Sequence, residues 1–170
     1  MTVIAIFLAV ILMFLFPMLS VSERTDDISQ LAVETAVSKF VDDSRSIGKI
    51  TMANYDELVS ALNATGNSYD IELEHKVLDE NIGKKSAWTD GTVVGENVYY
   101  SVYTSQILDR LTKENVDYQM KEGDILVCTA KNNNTTLSQT LRSVFYSTSS
   151  NNASQVSAKH TGIVTAGRNE

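Results

Sequence analysis

The chain has 170 residues, 43% of them apolar, with one proline, one cysteine and two histidines. Its 14 basic and 21 acidic residues leave a formal charge of −7, and all of them follow Ser22. An acidic chain without clustered Lys and Arg excludes an electrostatic nucleic-acid binder, a lone Cys128 excludes an internal disulfide framework, and the apolar content excludes a chain disordered throughout.

Residues 3–21 read VIAIFLAVILMFLFPMLSV, a run carrying Val3, Phe7, Leu12 and Phe16, with Pro17 and Ser20 its only interruptions. At ~1.5 Å per residue such a helix crosses a hydrocarbon core of ~30 Å. Pro17 removes one backbone donor, which membrane helices tolerate. A cleaved signal peptide is the rival reading, with Ser20 and Ser22 as small residues before a cut. No Lys or Arg precedes the run, however, and it exceeds a signal core of about 7–15 residues. The expectation is an uncleaved anchor over residues 1–22. The acidic flank Glu23-Arg24-Thr25-Asp26-Asp27 suits translocation, so the chain is expected to cross the cytoplasmic membrane once, with its body extracytoplasmic or on the cell surface.

Residues 23–50 form a second segment, an amphipathic helical extension. Ile28, Ala32, Ala36 and Phe40 recur at spacing four, with Leu31, Val33, Val37 and Val41 beside them. Glu23, Asp26, Asp27, Glu34, Lys39, Asp42 and Asp43 take much of the other side, and no Pro or Gly intervenes before Gly48. Joined to the anchor, this makes one rod of about 44 residues and ~65 Å. The pattern leaves two partners open for the stripe: the chain's own body, or copies of itself and other subunits. The candidate packing residues are Ile28, Ala32, Ala36, Val37, Phe40 and Val41.

Residues 51–170 read as an α+β domain. Thr51 caps a helix over 52–64. Residues 69–77 alternate with period two, apolar plus His75 on one face and Asp, Glu, Glu, Lys on the other. After residues 99–103, Thr104 caps a helix carrying Ile107, Leu108 and Leu111. Residues 116–121 and 124–131 flank Glu122-Gly123, a hairpin signal. A helix over 136–146 bears Leu137, Leu141, Val144 and Phe145, and 155–166 is a last strand. From Tyr69 this predicts β-α-β-β-α-β, the ferredoxin-like order, with a mixed or antiparallel four-stranded sheet and two helices on one face.

Catalytic chemistry has little to work with. A catalytic metal needs about three protein ligands, and beyond carboxylates only His75, His160 and Cys128 are on offer, on three separate predicted strands. His75 is expected as a partly buried aromatic on a strand face and Cys128 as a small core residue. Ser46-Ile47-Gly48-Lys49 and His160-Thr161-Gly162 mimic fragments of serine enzymes acting on penicillins, but the S-D-N element is missing. Gly83-Lys84-Lys85-Ser86 resembles the tail of a phosphate loop without its first glycine. Four N-x-S/T triplets, at Asn63, Asn133, Asn134 and Asn152, are what so Asn- and Thr-rich a chain produces by chance. No catalytic residue, metal ligand or cofactor site is expected. Trp88, in the loop 79–97, is a candidate partner contact.

This layout resembles pilins and pseudopilins, and within them the TadE-like, pilus-associated membrane proteins of Gram-positive anaerobes. The similarity is carried by Phe40-Val41-Asp42-Asp43 through Gly48-Lys49-Ile50-Thr51 and Tyr55, by Leu62-Asn63-Ala64-Thr65-Gly66-Asn67-Ser68-Tyr69-Asp70-Ile71-Glu72, and by Lys121-Glu122-Gly123-Asp124 leading into residues 125–131. The resemblance implies a non-enzymatic subunit of a pilus or secretion apparatus, partnered by the membrane and by other subunits. Type IV-like pilins carry a glutamate early in the apolar run. Here Ala5 stands in that place and the first acid is Glu23; with residue 1 as the true start, an accessory subunit is expected over a major shaft pilin.

Overall fold

The structure is a computed structural model that describes residues 2–79, 99–146 and 156–166, with the side chains of 144–146 left out. The loop 79–97 beyond Asp79, Trp88 within it, Gly83-Lys84-Lys85-Ser86, Asn152 and the loop 147–154 lie outside the described residues.

One helix, α1, runs without a break from Thr2 to Ile47 and passes through Pro17. The chain then gives β1 (Lys49–Ile50), α2 (Met52–Asn63), β2 (Tyr69–Leu78), β3 (Tyr99–Tyr103), α3 (Thr104–Thr112), β4 (Tyr118–Gln119), β5 (Ile125–Asn132), α4 (Leu137–Tyr146) and β6 (Ser157–Ile163). Gly48 stops α1 in the left-handed conformation, at φ 71°. Thr51 caps α2 by accepting the Asn54 N–H at 3.2 Å.

The architecture is α+β, as expected, and the main sheet is antiparallel throughout, in the order β3-β2-β5-β6. The expected β-α-β-β-α-β order is not what the strands form. Residues 99–103 pair with β2, so two strands precede α3. Residues 116–121 do not pair with 124–131 as a hairpin. Instead Tyr118–Gln119 leaves the main sheet and pairs with Lys49–Ile50, just past the end of α1. The turn itself forms, with Gly123 at φ 89° and the Asp124 N–H on the Lys121 carbonyl at 3.1 Å. But the Lys121 N–H donates to the Asp124 carboxylate at 2.8 Å, the Asp124 carbonyl accepts the Val164 N–H at 2.8 Å, and the Met120 N–H donates to the Gly48 carbonyl at 2.8 Å. The first pair of ladder bonds beyond the turn is thus incomplete, its Lys121 donor and Asp124 acceptor both engaged elsewhere.

The core lies between the sheet and α1, α2 and α3. Val33, Val37, Phe40 and Val41 of α1 meet Leu58 and Leu62 of α2, Ile107 and Leu111 of α3, and Leu73, Leu126, Cys128 and Ala130 of the sheet. Gly162 lets α1 lie close against β6: a Cβ there would stand 3.0 Å from Val41 Cγ1 and inside the Arg45 side chain. Thr104 is the first residue of α3 and not its cap. Its hydroxyl accepts the Leu73 N–H at 2.7 Å and donates to the Leu73 carbonyl at 3.2 Å, fastening α3 to the central strand.

Candidate functional site

The long helix carries two different surfaces, and they exchange sides partway along. Near the apolar segment, the side facing the body is polar. Glu23 accepts from Arg142 at 2.7 Å, Asp26 accepts from Thr136 at 2.8 Å and from Ser138, and Gln30 exchanges two hydrogen bonds with the backbone of Ser157, at 2.8 and 3.1 Å. The opposite side is exposed and carries Ile28, 68% exposed, and Leu31, 64%, with Arg24 one turn before Ile28. Ala32 joins them. The hydroxyls of Thr25 and Thr35 donate back to the Val21 and Leu31 carbonyls at 3.0 and 2.8 Å. Their polar atoms are therefore spent within the helix.

Beyond residue 32 the arrangement inverts. Val33, Val37, Phe40 and Val41 now face the body and are buried, while Lys39, Asp43 and Ser46 face outward. Helical geometry gives the cause. Residues spaced by four advance about 40° per step, so the stripe Ile28, Ala32, Ala36, Phe40 winds through about 120° and crosses from the outward face to the core. Of the six candidate packing residues, Val37, Phe40 and Val41 pack within the chain's own core, Ala36 lies at its margin, and Ile28 and Ala32 face away from it. The anchor residues Val3, Phe7, Leu12, Phe16 and Pro17 are all exposed. The segment they occupy has a mean hydropathy of 2.8 over its most apolar window, none of which is buried, so α1 is long and apolar enough to span a membrane.

A second constellation is internal. His75 of β2 points into the core. Its Nε2 lies 2.9 Å from Asp124 Oδ2 and its Nδ1 2.9 Å from the Tyr118 hydroxyl. A carboxylate only accepts, so Nε2 carries the proton and Tyr118 donates to Nδ1. Asp124 further accepts the Leu78 N–H on Oδ1 at 2.9 Å and the Lys121 N–H on Oδ2 at 2.8 Å. The Tyr118 ring stands edge-on to the imidazole, 5.4 Å between centroids, with the Arg110 guanidinium 5.7 Å from its own centroid. Burial, opposed by the Asp124 charge, holds His75 below its ordinary value; burial likewise raises Tyr118 to about 12. All three side chains are closed off from solvent, and the arrangement works as a strut joining β2, β4 and the start of β5.

His160 faces Asp42 at 3.8 Å on the surface. Cys128 is fully buried, which raises its thiol to about 12. Among the described residues no group of three His, Cys, Asp or Glu side chains could hold a metal ion. Sequence reasoning placed His75 on a strand face correctly but missed its partners, because Asp124 belonged to an expected hairpin and Tyr118 to an expected strand of the main sheet.

Comparisons with models of protein families, with curated proteins and with solved structures found no match.

Proposed function

We propose that this chain is a non-enzymatic, single-pass membrane subunit of the pilin-like, TadE-like kind, serving a pilus or secretion apparatus, with its body on the extracytoplasmic side. One observation carries the reading: beyond the spanning segment Ile28, Leu31 and Ala32 are exposed on the side turned away from the body, with Arg24 beside them. A helix that only anchored its own domain would place those side chains inward and its acids outward. Here Glu23 and Asp26 turn inward and find partners on the body, which leaves Ile28, Leu31 and Ala32 open to another helix. Assembly through α1, with copies of the chain or with other subunits, follows from that inversion.

Cysteine crosslinking in membranes tests it. With Cys128 buried and silent, Ile28→Cys and Leu31→Cys should link to a neighbouring subunit through a short bismaleimide, while Ser46→Cys, outward but beyond the inversion, should not. The double variant Ile28→Glu, Leu31→Glu should abolish the higher-order species and leave the unfolding midpoint of the body unchanged. Unlinked chains that stay monomeric in the membrane would overturn assembly through α1 and favour a tethered extracytoplasmic binding or sensor domain.

A further inference from the structure

The polar links between α1 and the body also fix how far the body stands from the membrane. Val3 to Val21 is 19 residues, about 28 Å of helix, against a hydrocarbon core of ~30 Å. The polar layer outside that core is only about 5–8 Å deep on each side, the rise of four or five residues. Residues 22–26 therefore occupy it. Those are the residues that already touch the body: Ser22 is 5% exposed, Glu23 holds Arg142, and Asp26 holds Thr136 and Ser138. No linker separates the anchor from the domain, and Gln30 repeats the attachment one turn higher on Ser157.

At this level the turn at residues 65–67 and the segment 134–137 face the end of the spanning segment across a groove of about 680 Å³. Pro17, Met18 and Val21 form one wall; Asn67, Asn134 and Leu137 stand on the other. Leu137, the first residue of α4, is 54% exposed beside this apolar wall. Among the described residues no Lys or Arg lines the groove, and the one carboxylate among them, Asp26, already accepts two hydroxyls.

We infer that the 65–67 turn and the 134–137 segment form a membrane-docking rim, seated in the lipid headgroups with Leu137 at the edge of the hydrocarbon. The inference rests on α1 spanning a membrane and goes beyond assembly, since it concerns the body's contact with lipid. The occupant is the bilayer surface because the spanning helix is itself a wall of the groove. The rim offers amides, hydroxyls and one leucine but no cation, so it suits neutral or zwitterionic headgroups and gains nothing from anionic lipid. Rigid seating of this kind would hold the long helix at a fixed inclination to the bilayer, with its outward stripe presented to neighbours.

The full chain reconstituted in phosphatidylcholine vesicles tests it, with an environment-sensitive fluorophore on Leu137→Cys or, as a second rim position, Thr135→Cys. Phe7→Cys reports the anchor. Ile163→Cys is the distal control, because β6 ends beside Arg45, 24 residues and roughly 36 Å beyond Val21. Lipid carrying a nitroxide on its headgroup should remove most of the emission at positions 135 and 137 and none at 163, with no dependence on added anionic lipid or salt. A nitroxide deep in the acyl chains should quench position 7. Quenching at 7 without quenching at 135 and 137 overturns the docking rim while leaving the anchor standing. No quenching at 7 overturns the anchor, and the rim with it.

Discussion

His75 and Asp124 are 49 residues apart in sequence, yet His75 Nε2 and Asp124 Oδ2 meet at 2.9 Å with side chains 3% and 2% exposed. That contact, extended by Tyr118 on one side and by two backbone N–H groups on the other, is where the central strand, the turn before β5 and the small β1–β4 pair are locked together.

Removing the acceptor exposes the value of the lock. Asp124→Ala strands His75 Nε2–H, the Leu78 N–H and the Lys121 N–H at once. The expected loss is about 3–5 kcal/mol, the cost of deleting one partner from a buried polar group. Chemical unfolding of the full chain in detergent micelles should record it, with Asp124→Asn losing less because its amide oxygen still accepts. A loss below about 1 kcal/mol would mean the strut is ornamental.

Acid should weaken the fold through the same imidazole. Burial holds His75 below the ordinary 6.5, so the unfolded chain takes up this proton first as the pH falls. The stabilising contribution is intact above that value and is lost progressively below it, until the folded imidazole is protonated too. The urea midpoint should fall between about pH 7.5 and pH 5, and the His75→Gln chain should show a shallower fall over the same window. Equal slopes in the two chains would assign the acid sensitivity to other groups.

Phe40 and Ile28 are predicted to behave as opposites although both belong to one spacing-four stripe. Phe40 is 4% exposed and Ile28 68%. Phe40→Ala should cost about 3–5 kcal/mol of stability, whereas Ile28→Ala should stay within about 0.5 kcal/mol and act on association instead. Thermal unfolding paired with a crosslinking assay on the two variants separates the effects.

Gly48 is held at φ 71°, and a Cβ on it would lie 2.7 Å from the Ala166 carbonyl oxygen. Gly48→Ala should therefore destabilise by about 1–2 kcal/mol and loosen the join between α1 and the β1–β4 pair. Hydrogen exchange at the Met120 amide, which donates to the Gly48 carbonyl, should speed up in the variant.

Cys128 should resist thiol reagents in the folded chain, since it is fully buried and its thiol is raised to about 12. Reaction with a chromogenic disulfide should appear only in denaturant. A fast native reaction would contradict the packing of β5 against its neighbours.

Strings of like residues made the elements legible. Nineteen residues from Val3 to Val21 without charge require a helix that water does not welcome, the alternation through Tyr69–Leu78 requires a strand with one dry face, and Gly48 and Thr51 mark the end of one helix and the start of the next. Such signals are local, set by propensity and periodicity over a few turns. What the sequence could not set was which of two legitimate partners a segment takes. Tyr118 and Gln119 could have paired with residues 124–131 or with Lys49–Ile50; the Lys121 N–H bond to the Asp124 carboxylate and the Met120 bond to Gly48 chose the latter. The acids Glu23 and Asp26 look solvated in one dimension and are clamped to Arg142, Thr136 and Ser138 in three. Because a helix turns by about 100° per residue, a stripe at spacing four does not name its face. Only the placement of the sheet beside α1 decided that Phe40 belongs to the core and Ile28 to the outside.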